Sequence, residues 1–224
     1  MLEDMPINIT WEDIAKRLHV TEEDDLKIVC ELFEKAKSVA KPKALYKVAY
    51  VDKIEDSIVV LDGVEFKSKI LAQQIGNVHR VFAYVVTCGK EVEEWSHSET
   101  DYILSLWADT IKEAFLIEAR NFFVSNIKEK YGLSKLSFIN PGSGDIDTWP
   151  IAEQVPLFSL IEDVTETCGV VLKESFLMIP IKSISGLVFP SDREFVNCSL
   201  CHRENCPGRK VPLNDSEMSL AKLS

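Results

Sequence analysis

Three groups of residues have the types and spacing for chemistry. Cys198, Cys201 and Cys206 fall within nine residues. Two thiolates separated by two residues can chelate one metal from a single turn, and Cys206 can close from the other side. A fourth ligand is missing locally, so a zinc site would need His202, Cys168 or a non-protein ligand. An iron–sulfur cluster takes cysteine ligands and would suit electron delivery. A reduced surface loop without metal is the alternative. The second group is Asp109 and Glu113, four apart and hence on one helix face. They can receive an amine or ribose hydroxyls, or form a solvated face. The third is glycine- and serine-rich. Gly142 and Gly144, in the loop from Asn140 to Asp145, let backbone N–H groups approach a ligand. Ser183, Ser185 and Gly186 offer hydroxyls and bare backbone. These residues alone describe a small-molecule site beside a metal site, and no reaction.

Other motifs fail on inspection. Cys88-Gly89-Lys90 resembles the end of a phosphate-binding loop, but Tyr84 stands where the first glycine belongs. In the loop after Asn140, Asp147 occupies the third glycine position of a dinucleotide fingerprint. Cys88 as a nucleophile would need a base, and His97 is merely near in sequence; a buried strand-end thiol is the simpler reading. Trp149 and Phe195 can stack on an adenine or serve as core.

These groups must be positioned by recognisable elements. Thr10 with Asp13 opens a short helix, and Thr21 to Asp24 opens a longer one with Leu26, Val29, Cys30, Leu32 and Phe33 on its apolar face. Lys43 to Val51, Ser57 to Leu61 and Val64 to Phe66 read as strands, with Asp62-Gly63 a turn. Ser68 caps a short helix ended by Gly76, and His79 to Thr87 is a central strand. Ser98 to about Lys130 reads as one long helix whose apolar positions are Ile103, Trp107, Ile111, Ala114, Phe115, Phe122 and Ile127. Ile151 to Thr167 is helical, and two short strands follow Lys173.

The chain of 224 residues can bury a substantial core, and its net charge of -11 disfavours a nucleic-acid partner. No basic flank precedes an apolar run at the N-terminus, and no run approaches the ~20 residues that span a bilayer. A cytoplasmic location is therefore expected, with no membrane partner and with the six cysteines reduced.

Three segments, taken in order, resemble the activation domain of cobalamin-dependent methionine synthase, which binds S-adenosylmethionine. They are FAYVVTCGKEVEE with the helix containing ADTIKEAF, then NPGSGDIDTWPIAEQVPLFSLI, then ESFLMIPIKSISGLVF, together spanning about Phe82 to Phe189. ADTIKEAF keeps the family's acidic positions at Asp109 and Glu113. The family's Arg-x-x-x-Gly-Tyr loop is represented by Asn140 to Asp145, which keeps Gly144 but neither the Arg nor the Tyr. Lys182 stands near in sequence as a substitute cation.

The resemblance implies a single α+β domain over residues 1–206, with an N-terminal helical part at about 8–40 and a polar tail at 207–224. Its sheet would be bent and largely antiparallel, with helices packed against it and one long central helix. S-adenosylmethionine would be held by Asp109, Glu113, Asn140, Gly142, Gly144, Asp145, Ser183, Ser185 and Gly186. No Asp-x-His-x-x-Gly cobalamin motif occurs, so cobalamin would be reached only through a partner. The implied role is a stand-alone reactivation factor for a methionine synthase or related corrinoid protein, an accessory rather than a complete enzyme. An external donor such as flavodoxin would reduce cob(II)alamin, and S-adenosylmethionine would supply the methyl group. The alternative is an accessory protein of the same fold that binds zinc or an iron–sulfur cluster at Cys198, Cys201 and Cys206 and has lost S-adenosylmethionine.

Overall fold

Asp62 and Gly63 both adopt positive φ, 45° and 79°, which matches the twist of a two-residue hairpin turn. The strands they join pair in register from Leu61 with Val64 to Ile58 with Lys67. In the computed structural model, which describes residues 1–3, 5–143, 149–191, 197–201, 203, 205, 209, 211, 212 and 214, the elements follow one another as α1 (Trp11–Leu18), α2 (Glu23–Val39), β1 (Lys43–Glu55), β2 (Ile58–Leu61), β3 (Val64–Lys67), α3 (Lys69–Ile75), β4 (Arg80–Thr87), α4 (Lys90–Ser96), α5 (Tyr102–Tyr131), β5 (Leu136–Ile139), α6 (Gln154–Ile161), α7 (Val164–Cys168), β6 (Val171–Leu172), β7 (Met178–Ile179) and β8 (Ser183–Pro190).

Six strands form one sheet in the order β3-β2-β1-β4-β8-β5, and β6 pairs with β7 separately. The pairings of β1 with β2, β2 with β3 and β5 with β8 are antiparallel. The register of β1 on β2 shifts between Val51 and Lys53, an irregularity that bends a strand. The architecture is α+β, with a curled antiparallel sheet and one long helix, as the resemblance implied. The chain divides into two compact units, each assembled from three stretches.

The first unit comprises Met1–Leu45, Val85–Ile127 and Asp163–Ile184. Its α1 begins where the Asp13 carboxylate accepts from the Thr10 N–H and hydroxyl, both at 3.2 Å. The N-cap residue of α2 is Glu22, which makes no side-chain cap bond, and the first-turn Glu23, Asp24 and Asp25 lie at the positive end of the helix dipole. Its core joins Ile14, Val29, Leu32, Phe33, Val92, Ile111 and Phe115. Phe33 meets Phe115 edge-on at 5.8 Å, and burying each such ring stabilises by about 1.5–3 kcal/mol. Cys30 is only half-buried. α5 starts at Tyr102, not Ser98, because the Asp101 carboxylate accepts from the N–H groups of Ile103 and Leu104 at 2.8 and 3.0 Å. Ile103 is consequently in the first turn and exposed, not core.

The second unit comprises Tyr46–Tyr84, Lys128–Glu162 and Ser185–Ser224. Ser68 caps α3 by accepting from the Leu71 N–H at 3.0 Å. The β4 residues Val81, Phe82, Ala83 and Tyr84 are fully buried, as are Phe66, Trp149 and Phe189. Trp149 stands edge-on to Phe66 at 6.0 Å. It is core, not a stacking platform at the surface. Phe195 lies outside the described residues. No helix among the described residues is long and apolar enough to cross a membrane.

Candidate functional site

In the first unit the structure brings Asp109 and Glu113 together with a residue far away in the chain. Lys182 Nζ lies 2.8 Å from Asp109 Oδ2 and 3.4 Å from Glu113 Oε2. The backbone of Lys182 is fixed by its carbonyl, which accepts from the Cys88 N–H at 3.0 Å. Burial pushes the Lys182 ammonium towards deprotonation, but the hydrogen bond and charge of Asp109, with the charge of Glu113, outweigh it and raise its pKa. Lys182 is therefore a charged, shielded cation, its side chain 18% exposed against 48% and 59% for its two partners.

The pair continues inward. Lys112 Nζ lies 3.6 Å from Asp109 Oδ1 and donates to Glu93 Oε2 at 2.9 Å. Lys112 and Glu93 are both buried. An isolated charge there would be expensive to desolvate, so each requires the other. His97 Nε2 stands 3.6 Å from Glu93 Oε1 at the surface end. Glu93, Asp109 and Glu113 against Lys112 and Lys182 leave this ion-paired set with one net negative charge.

Cys88 sits beside these charges, fully buried. Desolvation, with the Glu93 charge added, pushes its thiol up to about 12. It is an inert core thiol, not a nucleophile. Ser183, at the start of β8, donates to the Pro180 carbonyl at 2.7 Å and bonds the Thr87 hydroxyl at 2.9 Å.

In the second unit, Asn140, Ser185 and Gly186 are brought together. The Asn140 amide donates to Tyr84 Oη at 2.8 Å and to the Ser185 carbonyl at 2.6 Å. A Cβ on Gly186 would collide with Asn140 Nδ2 and approach the Ile139 carbonyl. The bare backbone at Gly186 is thus filled by the protein's own asparagine. Gly142 has φ of 75°. Its N–H donates to the Trp149 carbonyl at 2.8 Å, and a Cβ there would meet Ile151 at 2.9 Å. Loop closure alone accounts for this glycine. Gly144 and Asp145 lie outside the described residues.

Cys198 and Cys201 share a short turn in which the Cys201 N–H donates to the Cys198 carbonyl at 3.3 Å. Arg209 clasps it: its Nη1 donates to the Cys198 carbonyl at 3.1 Å and its Nη2 to the Cys201 carbonyl at 2.7 Å. Both thiols are partly exposed. Cys206 and His202 lie outside the described residues, and among those that are described no three His, Cys, Asp or Glu side chains stand close enough to hold a metal ion.

Sequence reasoning missed Lys112, Glu93 and Arg209. Lys112 had a signal: it occupies the stripe of Ala108, Phe115 and Ala119, all buried. A lysine on such a stripe calls for a buried carboxylate.

No protein-family model matches the sequence, and no curated protein matches it. The fold is similar to that in the crystal structure of the MetH reactivation domain bound to AdoHcy, with a TM-score of 0.55 and 15% identity. The match covers 82% of this chain and 68% of that one.

Proposed function

We propose that this chain binds S-adenosylmethionine and serves as a separate reactivation factor for a corrinoid protein. The observation that carries this reading is the fold shared with a reactivation domain bound to AdoHcy, the species left when S-adenosylmethionine gives up its methyl group. The first unit fits such a ligand by charge. S-adenosylmethionine carries an ammonium, a carboxylate and a sulfonium, one net positive charge, and the ion-paired set around Asp109 carries one net negative charge. Asp109 and Glu113 would hold the ammonium. The hydroxyl of Ser183, already tied to Thr87 and Pro180, would add a polar contact at the end of β4. For Asn140, Gly142, Ser185 and Gly186 of the second unit a supporting role is proposed, shaping the loop rather than touching the ligand. The same supporting role is proposed for Gly144 and Asp145.

When bound, the ligand supplies a sulfonium methyl group. The chain's own residues pair charge and orient, and no acid–base step is assigned to them. The acceptor is a cobalamin-carrying partner, a methionine synthase or relative, and the electron comes from an external donor such as a flavodoxin. The test is reconstitution. With homocysteine and the methyl donor for turnover present, the chain, S-adenosylmethionine and a reductant should restore methionine formation by a cob(II)alamin methionine synthase that lacks a reactivation domain of its own. Omitting the chain should abolish it. No restoration with this or another corrinoid protein would reject the reading.

A second reading has one feature in its favour. Arg209 holds the carbonyls of Cys198 and Cys201 and so presents two partly exposed thiols from one turn, a geometry suited to a zinc or iron–sulfur site completed by Cys206. Protein purified without oxygen should then carry zinc or iron, lost in Cys201→Ser. Visible charge-transfer absorption would mark iron.

A further inference from the structure

We propose that Lys182, Asp109 and Glu113 form an exchange site for an α-amino-acid zwitterion, in which Lys182 holds the ligand ammonium's place until the ligand arrives. This deepens the binding reading above and rests on it. The two carboxylates assigned to the ligand's ammonium are already engaged: Lys182 Nζ is 2.8 Å from Asp109 and 3.4 Å from Glu113. Of the three side chains the lysine is the shielded one and the carboxylates are about half open to solvent. An incoming ammonium therefore reaches Asp109 and Glu113 from the open side and competes with a cation behind them.

Displacing a shielded ammonium is unfavourable unless it gains a new partner. The neighbouring Lys112 cannot supply one, being itself cationic and bound to Glu93 at 2.9 Å. A ligand that brings a carboxylate beside its ammonium does supply one. The charges can then re-pair: ligand ammonium with the Asp109 and Glu113 carboxylates, ligand carboxylate with Lys182. A ligand with the ammonium alone replaces Lys182 at both carboxylates and leaves Lys182 unpaired. Specificity for the complete amino-acid end thus comes from Lys182.

The experiment titrates the whole chain with S-adenosylmethionine and with its decarboxylated analogue, which keeps the ammonium and sulfonium but lacks the carboxylate. Wild type should prefer S-adenosylmethionine by about tenfold, the scale of one ion pair. Lys182→Met should reverse the order, because the carboxylates are then open to any cation and the ligand carboxylate has no partner. Lys182→Arg should restore the wild-type order, and Lys182→Gln gives a second neutral variant should Met disturb folding. An unchanged preference in both neutral variants, with S-adenosylmethionine still bound, overturns the exchange site and leaves the binding reading standing. Absence of binding by wild type to either ligand overturns both.

Discussion

The Nζ atom of Lys182 lies 2.8 Å from Asp109 Oδ2, so a strand-entry lysine neutralises a helix carboxylate that the sequence presents as an open ligand group. Asp109 also faces Lys112 at 3.6 Å. It links a solvent-facing pair to a buried one, and perturbing either should have different consequences.

Removing one member of the buried pair should unfold the protein more readily than removing the exposed one. Lys112→Met leaves the Glu93 carboxylate buried without its 2.9 Å partner, a loss of about 3–5 kcal/mol. Replacing both, Lys112→Met with Glu93→Leu, should recover most of that loss. Urea unfolding of the single and double variants checks this; a double variant as unstable as the single would mean that packing, not charge, sets the effect.

Gly186→Ala should destabilise by about 1–3 kcal/mol through overpacking, since the new Cβ meets the Asn140 amide and the Ile139 carbonyl. Thermal denaturation reads this directly. A neutral substitution would show that both the Asn140 side chain and the Ile139 backbone can give way.

Thiol reactivity should divide the cysteines. Burial pushes Cys88 up to about 12 and Cys168 up to about 11, so neither should be alkylated in the folded protein at pH 8. Cys198 and Cys201 should react when no metal is bound. Because these buried thiols hold their protons more tightly than in the unfolded chain, the unfolded state ionises first as pH rises. Their contribution to stability is complete below about 9 and is lost between there and about 12. Alkylation of Cys88 in the native state, located by mass spectrometry, would contradict its placement.

Much of the fold was legible because its signals are local. Thr10 with Asp13, Ser68 as a cap, the Asp62-Gly63 turn and the buried run of β4 each depend on neighbours within a few residues. The site was legible only in part. Asp109 and Glu113 could be placed on one face from their spacing, but their partner Lys182 is 69 positions beyond Glu113, and no local pattern encodes that. Asn140 and Ser185 are 45 apart, so Gly186 read as open backbone when a side chain fills it. Ile103 kept helical periodicity with the core positions, but the cap at Asp101 puts it in the first, exposed turn.

The central claim is tested most directly by calorimetric titration of the intact chain with S-adenosylmethionine, beside Glu113→Ala and Asp109→Asn. Saturable binding is predicted for wild type, weakened by about 1–3 kcal/mol in each variant as the ligand's ammonium loses a charged partner. A folded wild-type protein that gives no binding heat at two temperatures and up to high ligand concentration, and no shift in unfolding temperature with ligand, would contradict the account.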